Sequence, residues 1–465
     1  NSQFNLQLEG DLGDSIKLTG AITDNTIPFQ PEGNTQQLQE FDRVSIQLQR
    51  KRTSLLVGDY EIRKPVSYFM NFFKRVQGGF FSTTSKTSAE GENKISLGVS
   101  LAKGKFVRNV LTALEGNQGP YKLTGPNGEQ FFIILAGTER VYIDGIQMQR
   151  GEEYDYVIDY NTAEVTFMPR RLITKDLRLS VEFEFSDRNY LNSLVYLQDE
   201  WKVNNKWMMR FNMYSNQDAK NQTVQQTLDS SKIRFLASIG DSIQQAFYTS
   251  VQRDDTFSAS KILYKKIDTT VGGNMFNNVY VFSTNVDSAK YSLSFSFVGA
   301  GLGNYKQSVN SANGRVYAWT APSDGNRTGD YEPIIVLVTP KRTQMFSVAT
   351  TFAPDSNRTI TVETAVSNND HNTFSSIDNA SHPALATKLF YTDKRMLSKQ
   401  KDWLLKTNAQ FEYVMDRFKP IERFRTVEFA RDWNVPLNDI ARNEQLASIA
   451  LSLAKAGLVT VDYQI

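Results

Sequence analysis

Apolar and polar residues alternate with a period of two along much of the chain, and this pattern constrains the fold more than any other feature of the sequence. Five segments place four apolar or β-branched side chains on one face of a strand: Ile95, Leu97, Val99 and Leu101; Leu179, Val181, Phe183 and Phe185; Trp207, Met209, Phe211 and Met213; Tyr291, Leu293, Phe295 and Phe297; and Ile360, Val362, Thr364 and Val366. Clusters of Gly, Asn, Asp and Pro separate such segments, as they do in antiparallel sheets rather than in βαβ units. The sequence therefore predicts an all-β, antiparallel fold with many strands in an extended sheet or a barrel-like body.

A glycine-rich stretch, Glu115 to Gly145, holds six glycines and has to be tested as a phosphate-binding loop. Such loops need G-x-x-x-x-G-K-[ST] or G-x-G-x-x-G between a strand and a helix, and neither spacing occurs here. Instead, Pro126-Asn127-Gly128 is typical of a turn, and the runs Phe131 to Leu135 and Val141 to Ile143 are typical of strands, the second closed by Asp144-Gly145. The stretch is predicted to be part of a small inserted β-domain.

Three regions follow from these patterns. Residues 1–114 form an N-terminal antiparallel β region that includes the loop Asp24 to Asp42, and residues 115–190 form the small glycine-punctuated β-domain. Residues 191–465 form a C-terminal antiparallel β region with long polar loops, which usually lie at the surface.

Composition excludes several classes of function. The 465 residues include 52 basic and 50 acidic side chains, so a net charge of +2 gives no field for attracting nucleic acid. No cysteine is present, which excludes disulfides, thiolate chemistry and cysteine-zinc sites. No apolar run of 18 or more residues occurs, so the sequence predicts no transmembrane helix.

Residues suited to catalysis are few. The two histidines, His371 and His382, belong to neither an H-E-x-x-H motif nor a nucleophile elbow. Glu152, Glu153 and Asp155 precede strand-forming residues and indicate a solvated turn rather than a glycosidase pair. We predict that the protein is not an enzyme, and we assign no catalytic residue, cofactor-binding residue or cofactor.

One polar segment resembles a loose calcium loop. Asp370, Asn372 and Asp378 supply oxygen ligands, but the spacing of an EF-hand, with its Gly and its terminal Glu, is missing. A loop built on Asx turns is the alternative that we prefer, so no metal ligand is assigned.

Several segments of the sequence resemble those of a family of large exported β-proteins of bacterial outer membranes. They are "GPYKLTGPNGEQFFIILAGTERVYIDGIQMQRGEEYDYVIDYNTAEVTF", "DNTIPFQPEGNTQQLQEFDRV", "LLVGDY" and "ETAVSNNDHNTFSSIDN". Within that group the chain is most similar to the plug subunit of the type IX secretion translocon. The resemblance implies a non-catalytic gating or interaction subunit on the periplasmic face of the outer membrane. Its partners would be a large β-barrel translocon subunit and its accessory proteins.

A second reading comes from a weaker likeness to fimbrial ushers, in which a small β-domain interrupts the strands of a barrel. The chain would then be an usher-like or porin-like transmembrane β-barrel that carries an inserted plug domain. Strand alternation fits both readings. Charges at Lys261 to Lys266 and at Arg417 to Arg425, and aromatic residues spread along the strands rather than gathered at their ends, favour the docked subunit.

Two local expectations test the all-β prediction. Residues 446–454 and 458–465 are predicted to pair as a hairpin around Lys455-Ala456-Gly457, although helical spacing fits the first of these segments as well. Tyr121, which follows Gly119-Pro120, is predicted to be largely buried.

Overall fold

The computed structural model describes most of the chain. The described residues are 4–24, 43–62, 65–102, 105–125, 133–135, 137–160, 162–186, 190–223, 226–258, 261–308, 315–323, 325–398, 403–434, 442–455 and 459–464. The predicted turn at Pro126-Asn127-Gly128 and nearly all of the predicted loop Asp24 to Asp42 lie outside them. The chain divides into two compact units, one of residues 1–225, 340–370 and 379–465, and one of residues 226–339 and 371–378.

The first unit begins with strands and a block of shorter strands. In chain order they are β1 (Phe4–Asp11), β2 (Ile16–Asp24), β3 (Arg43–Arg50), β4 (Thr53–Ile62), β5 (Lys74–Lys86), β6 (Glu92–Ala102), β7 (Lys105–Thr112), β8 (Tyr121–Lys122), β9 (Ile133–Ile134), β10 (Arg140–Ile143), β11 (Ile146–Gln147), β12 (Tyr156–Asp159), β13 (Glu164–Phe167), β14 (Arg178–Ser186), β15 (Tyr190–Lys202) and β16 (Trp207–Thr223).

The second unit interrupts the first and contains the longer of the two α-helices in the described chain. Its elements are α1 (Ser230–Ser238), a 3₁₀ turn (Ile243–Gln245), β17 (Phe247–Thr249), β18 (Gln252–Arg253), β19 (Tyr264–Val271), β20 (Asn274–Phe282), β21 (Tyr291–Ser292), β22 (Ser296–Phe297), β23 (Tyr305–Gln307), β24 (Tyr317–Trp319), β25 (Tyr331–Glu332) and β26 (Ile334–Val336). The sequence analysis did not predict α1, whose start is capped by the Asp229 side chain accepting from the Ser231 and Lys232 amides.

The first unit then resumes with long strands. These are β27 (Arg342–Asp355), β28 (Arg358–Asp370), a 3₁₀ turn (Asn379–Ser381), β29 (Pro383–Ser398), β30 (Trp403–Val414), the short helix α2 (Phe429–Asp432), β31 (Glu444–Lys455) and β32 (Val459–Gln464). Within the described residues, no helix is long and apolar enough to cross a membrane.

One antiparallel sheet of 14 strands dominates the first unit, which confirms the all-β, antiparallel prediction. Its order is β1-β2-β3-β4-β5-β6-β15-β16-β27-β28-β29-β30-β31-β32. Strands β6 and β15 pair directly, so the block β7–β14 is an insertion between neighbouring strands, and β16 pairs directly with β27 in the same way. The described residues of β1 and β32 do not pair with each other.

The inserted block, β7–β14, has a hydrophobic core of its own; we call it the insert. It consists of a five-stranded sheet and a three-stranded sheet. The predicted alternating set from Leu179 to Phe185 on β14 is buried in this core. Tyr121 is only 8% exposed, and its hydroxyl donates to the Asn117 carbonyl at 2.7 Å, so its predicted burial is confirmed.

The predicted end of a strand at Asp144-Gly145 and the predicted C-terminal hairpin are both confirmed. The Asp144-Gly145 turn joins β10 to β11 with φ of 49° and 81°, the two positive values that a type I′ turn requires. At the far end of the sheet, β31 pairs with β32 from Lys455 opposite Val459 onward. The alternating pattern of Ile449 and Leu451 is therefore that of a strand and not that of a helix.

Candidate functional site, the two faces of the large sheet

The sheet has one apolar face that is open to its surroundings; we call it the outer face. Cross-strand partners make this face continuous, as where Leu97 lies opposite Leu197 and Leu197 lies opposite Met213. Its exposed apolar side chains occur on strands from one edge of the sheet to the other: Leu8, Ile22, Val44, Ile46, Val57, Phe81, Leu97, Val99, Leu101, Trp201, Met209, Val348, Val362, Leu389, Phe411, Ile449, Leu451, Val461 and Tyr463.

The opposite face carries both polar and apolar side chains and is largely covered by other parts of the first unit; we call it the covered face. Side chains at the alternate strand positions are buried although many are polar: Ser96, Ser100, Asn192, Asn212, Ser347, Glu363, Ser367 and Glu412. A water-soluble sheet usually exposes its polar face and buries its apolar face; here the exposed face is apolar, and the buried face holds many polar side chains beside an apolar core.

The two ends of the strands differ in the length of their connections. At one end, which we call the short-turn end, residues 12–15, 51–52, 87–91, 203–206, 356–357, 399–402 and 456–458 link neighbouring strands. At the other end the links are longer and include residues 63–73, 103–189, 224–341, 371–382 and 415–443.

Large aromatic side chains lie on the outer face close to the short-turn end. Trp207 stacks on Phe352 with 4.4 Å between ring centroids, and the same register row continues through Ile360 to Tyr391. A charged side chain, Asp199, also lies on this face near Trp201 and accepts a hydrogen bond from the Asn93 amide nitrogen at 2.6 Å. This row was not predicted from the sequence, because the pattern of a single strand does not contain the register between strands.

A segment between β4 and β5, residues 65–73, lies on the covered face; we call it the strap. The Glu363 carboxylate on β28 accepts from the Ser67 hydroxyl at 2.5 Å and from the Tyr68 and Phe69 amides at 2.9 and 3.1 Å. The Lys388 ammonium lies 3.4 Å from the centre of the Tyr68 ring. These contacts hold the strap against β28 and β29.

Three large apolar residues of the strap complete the hydrophobic core on this face. Phe69, Met70 and Phe72 are fully buried, and the Phe72 ring makes edge contacts with Tyr196 and Tyr214 at 5.5 and 4.9 Å between centroids. Burying three large side chains contributes several kcal/mol, at roughly 1.5–3 kcal/mol each. The strap is thus fixed more firmly than an ordinary connecting loop.

The insert joins the rest of the first unit through charged side chains. Lys74 of β5 forms a buried ion pair with Glu184 of β14. Further ion pairs connect the insert to residues 415–433: Arg423 with Glu182 at 2.7 Å, Arg178 with Glu428 at 2.8 Å and Arg140 with Glu422 at 3.6 Å. Within the described residues, the hydrophobic core of the insert shares no member with that of the large sheet.

Glu422 is the member of this network that is poised to titrate. Burial raises the pKa of its carboxyl to about 7, against the opposing effects of the Phe73 amide and the Lys74 ammonium. The Phe73 amide donates to its Oε1 at 3.0 Å. A carboxyl of this kind changes charge near neutral pH, whereas an ordinary glutamate does so near 4.5.

The residues considered as calcium ligands have structural partners. The buried Asn372 donates through its Nδ2 to the Leu236 and Gly240 carbonyls, both at 2.7 Å, after α1. Asp378 accepts from the Asp241 amide at 2.9 Å. Asp370 pairs with Arg342 at 3.2 Å.

The candidate catalytic residues also have ordinary surroundings. Asp155 closes a turn by accepting from the Gln149 amide at 2.8 Å, and Glu152 and Glu153 are exposed. The His371 carbonyl accepts from the Thr339 hydroxyl at 2.7 Å, and His382 is buried.

The charged runs that favoured the docked-subunit reading do not lie on the outer face. Lys261 to Lys266 belongs to the second unit, where β19 begins, and is not part of the large sheet. Arg417 to Arg425 lies between β30 and β31 and contacts the covered side, where Arg425 pairs with Glu412 at 2.6 Å. That use of the two runs was wrong, because it assumed that both formed strands of the sheet.

Comparison with known proteins gives three results. Residues 106–187, close to the bounds of the insert, match a domain of unknown function, DUF8818. No curated protein matches the chain in sequence. Solved structures that resemble it are outer-membrane proteins, and at their TM-scores the likeness carries no argument about function.

The first of these structures is the outer membrane channel DcaP of Acinetobacter baumannii, at 9% identity and a TM-score of 0.23, covering 100% of this chain and 85% of that one. OccK8 (OprE) of Pseudomonas aeruginosa follows at 9% identity and 0.19, covering 100% and 92%. A BenF-like porin from Pseudomonas fluorescens Pf-5 follows at 6% identity and 0.17, covering 100% and 90%.

Proposed function

We propose that the large sheet is a membrane-spanning wall of an outer-membrane channel and that the strap and the insert close its lumen. The observation that carries the proposal is the exposed apolar face, which continues across the whole sheet. Lipid-facing strands alternate apolar residues outward with polar residues toward the lumen, and the covered face buries many polar side chains beside the apolar core that packs on the strap.

Strand length and connection length support the same assignment. A membrane-spanning β-strand needs about 9–11 residues, and β15, β16, β27 and β28 have 13, 17, 14 and 13. Transmembrane barrels combine short turns at the periplasmic end with long loops at the opposite end. The short-turn end would then face the periplasm, and Trp207 and Tyr391 would lie at the lipid boundary, where aromatic side chains are favoured.

Unpaired strand edges are not tolerated in the hydrocarbon core, because each free backbone group costs several kcal/mol. In a membrane β1 and β32 therefore need partners, supplied by closure of the sheet or by further strands.

Closure of the lumen is assigned to the strap, which lies on the covered face, and to the insert, which is joined by ion pairs to Lys74 and to residues 415–433 on the same side. The strap is held by a buried apolar core, whereas the insert is held by ion pairs. Polar interfaces between separate cores are typical of domains that move relative to each other. The insert is therefore the part of this closure that can be displaced.

This proposal follows the second reading of the sequence. The first reading, a gating subunit docked on a type IX translocon, has no support in the comparisons. No catalytic step is part of the proposal.

Extraction from membranes tests the proposal directly. We expect the full chain, expressed in an outer membrane, to resist high salt, urea and alkali and to require detergent. Release by alkali would contradict a membrane-spanning wall and favour a docked subunit with a separate β-barrel partner.

Conductance measurements test whether the insert closes the lumen. The wild-type chain in planar bilayers should show little current, and a variant in which a short linker replaces residues 106–187 should show large, stable openings. The linker can be short because β6 and β15 are already paired. Equal currents in both proteins would contradict a closing role for the insert.

A further inference from the structure

A cavity of about 510 Å³ opens on the covered face near the short-turn end. It is lined by Arg52, Thr84, Glu92, Lys94, Glu200, Lys202 and Met208. Lys94 shares its side of β6 with the buried Ser96 and Ser100, and Lys202 shares its side of β15 with the buried Tyr196. Both lysines therefore point toward the covered face.

The charges around this cavity do not cancel. Arg52 and Glu92 pair with each other at 2.7 Å, and Glu200 accepts a hydrogen bond from the Gln198 amide nitrogen. Among the residues that the structure describes, neither Lys94 nor Lys202 has a carboxylate within 4.0 Å of its ammonium group. In the strand register Lys94 lies opposite Glu200 and Lys202 lies opposite Glu92. The lining therefore has three cations and two carboxylates, an excess of one positive charge.

A second cationic position lies on the covered face at the same end of the strands. Lys394 on β29 is directly opposite Lys406 on β30, and both alternate in phase with the covered residues Lys388 and Glu412. Like charges directly opposite each other destabilise a sheet. In the described chain neither ammonium forms an ion pair, and the nearest acidic residue in that register row, Asp462, is two strands away from Lys406.

We propose that the short-turn end of the covered face is an anion-binding mouth, and that the solutes it takes carry several carboxylate or phosphate groups. The inference rests on the proposed function, because it names the class of solute for that channel. Unpaired lysines at a pore mouth raise the local concentration of anions and repel cations. Lysine is a flexible point charge, so this mouth selects for negative charge rather than for one planar group.

Binding is tested on the full chain in detergent. Inorganic tripolyphosphate and citrate serve as phosphate and carboxylate probes, with NaCl at equal ionic strength as the reference, and thermal unfolding is the measurement. We expect both probes to raise the midpoint. The variant K94Q/K202Q/K394Q/K406Q should bind them roughly tenfold more weakly, since four positive charges at the short-turn end are lost.

The matched control is K266Q/K306Q, which removes two exposed lysines of the second unit and should leave probe binding unchanged. Absence of any shift in the wild type, or an equal shift in the fourfold variant, would overturn the proposal.

Ion selectivity provides the second test, made on the variant that lacks residues 106–187. In a KCl gradient its reversal potential should indicate a preference for chloride, and the four Lys→Gln changes should move it toward zero. A preference for potassium would overturn the anion-binding mouth but not the channel. Absence of all current would overturn the channel, and the binding experiment would still decide whether the anion site exists.

Discussion

The Lys74 ammonium at the start of β5 and the Glu184 carboxylate of β14 form an ion pair in which the side chains are only 4% and 6% exposed. One partner belongs to the large sheet and the other to the insert. A pair buried this deeply is costly to break from one side, because the remaining charge has no access to water.

We expect Lys74→Met or Glu184→Met alone to destabilise the docked insert by about 3–5 kcal/mol. The double variant, Lys74→Met with Glu184→Met, should lose much less, because it leaves no unpaired charge. Hydrogen exchange of the β14 amides measures the effect. Additive losses in the double variant would show that the two side chains do not act as a pair.

Docking of the insert should depend on pH through Glu422. A folded-state pKa of about 7 against the ordinary 4.5 means that the docked state favours the protonated carboxyl. This contribution is fully present below about pH 4.5 and is lost as the pH rises toward about 7. Hydrogen exchange of residues 415–433 in the wild type should therefore accelerate over this range relative to Glu422→Gln. Parallel pH profiles for the two proteins would contradict the assignment.

A lysine substitution on the outer face tests whether that face meets lipid or water. Val348 of the outer face and Val336 of the second unit are 52% and 54% exposed, so they form a matched pair. Val348→Lys should reduce insertion into bilayers by about 2–4 kcal/mol if that face meets lipid, and Val336→Lys should change it little. Refolding into vesicles, followed by urea titration, measures both. Equal, small effects would indicate that the outer face is not in lipid.

Replacing two adjacent glycines of β5 by alanine should have opposite effects on stability. A Cβ on Gly78 would lie 2.2 Å from the Val99 carbonyl oxygen, whereas one on Gly79 would meet nothing within 4 Å. Gly78→Ala must displace β6 and should cost about 1–3 kcal/mol. Gly79→Ala should be neutral or stabilise by up to about 1 kcal/mol. Thermal unfolding midpoints test this, and equal midpoints would mean that β5 and β6 separate more easily than their contact indicates.

The alternation of apolar and polar residues predicted the strands, but it did not predict which face of each strand is buried. In β16, Met209 and Phe211 alternate with Arg210 and Asn212, and the pattern is unchanged if inside and outside are exchanged. The structure shows that Asn212 is buried and Met209 is exposed. The segments that cover one face, among them the strap and residues 415–433, distinguish the two sides.

The charged contacts were beyond sequence reasoning for a related reason. Glu182 and Glu184 occupy the polar positions of β14 and give the pattern of a solvated face. Both are buried because Lys74 and Arg423 come from segments 110 and 241 residues away along the chain. No local pattern encodes partners at such separations.

The direct pairing of β6 with β15 has a consequence for assembly. Leu101 and Ser193 are register partners, yet the whole insert lies between them along the chain. If the insert folds first, its own core brings its two ends together, and the loop that β6 and β15 must close becomes effectively short. Folding of a small water-exposed domain would then precede and accelerate the growth of the sheet across that junction, and mutations in the insert's core would slow biogenesis before they altered the finished protein.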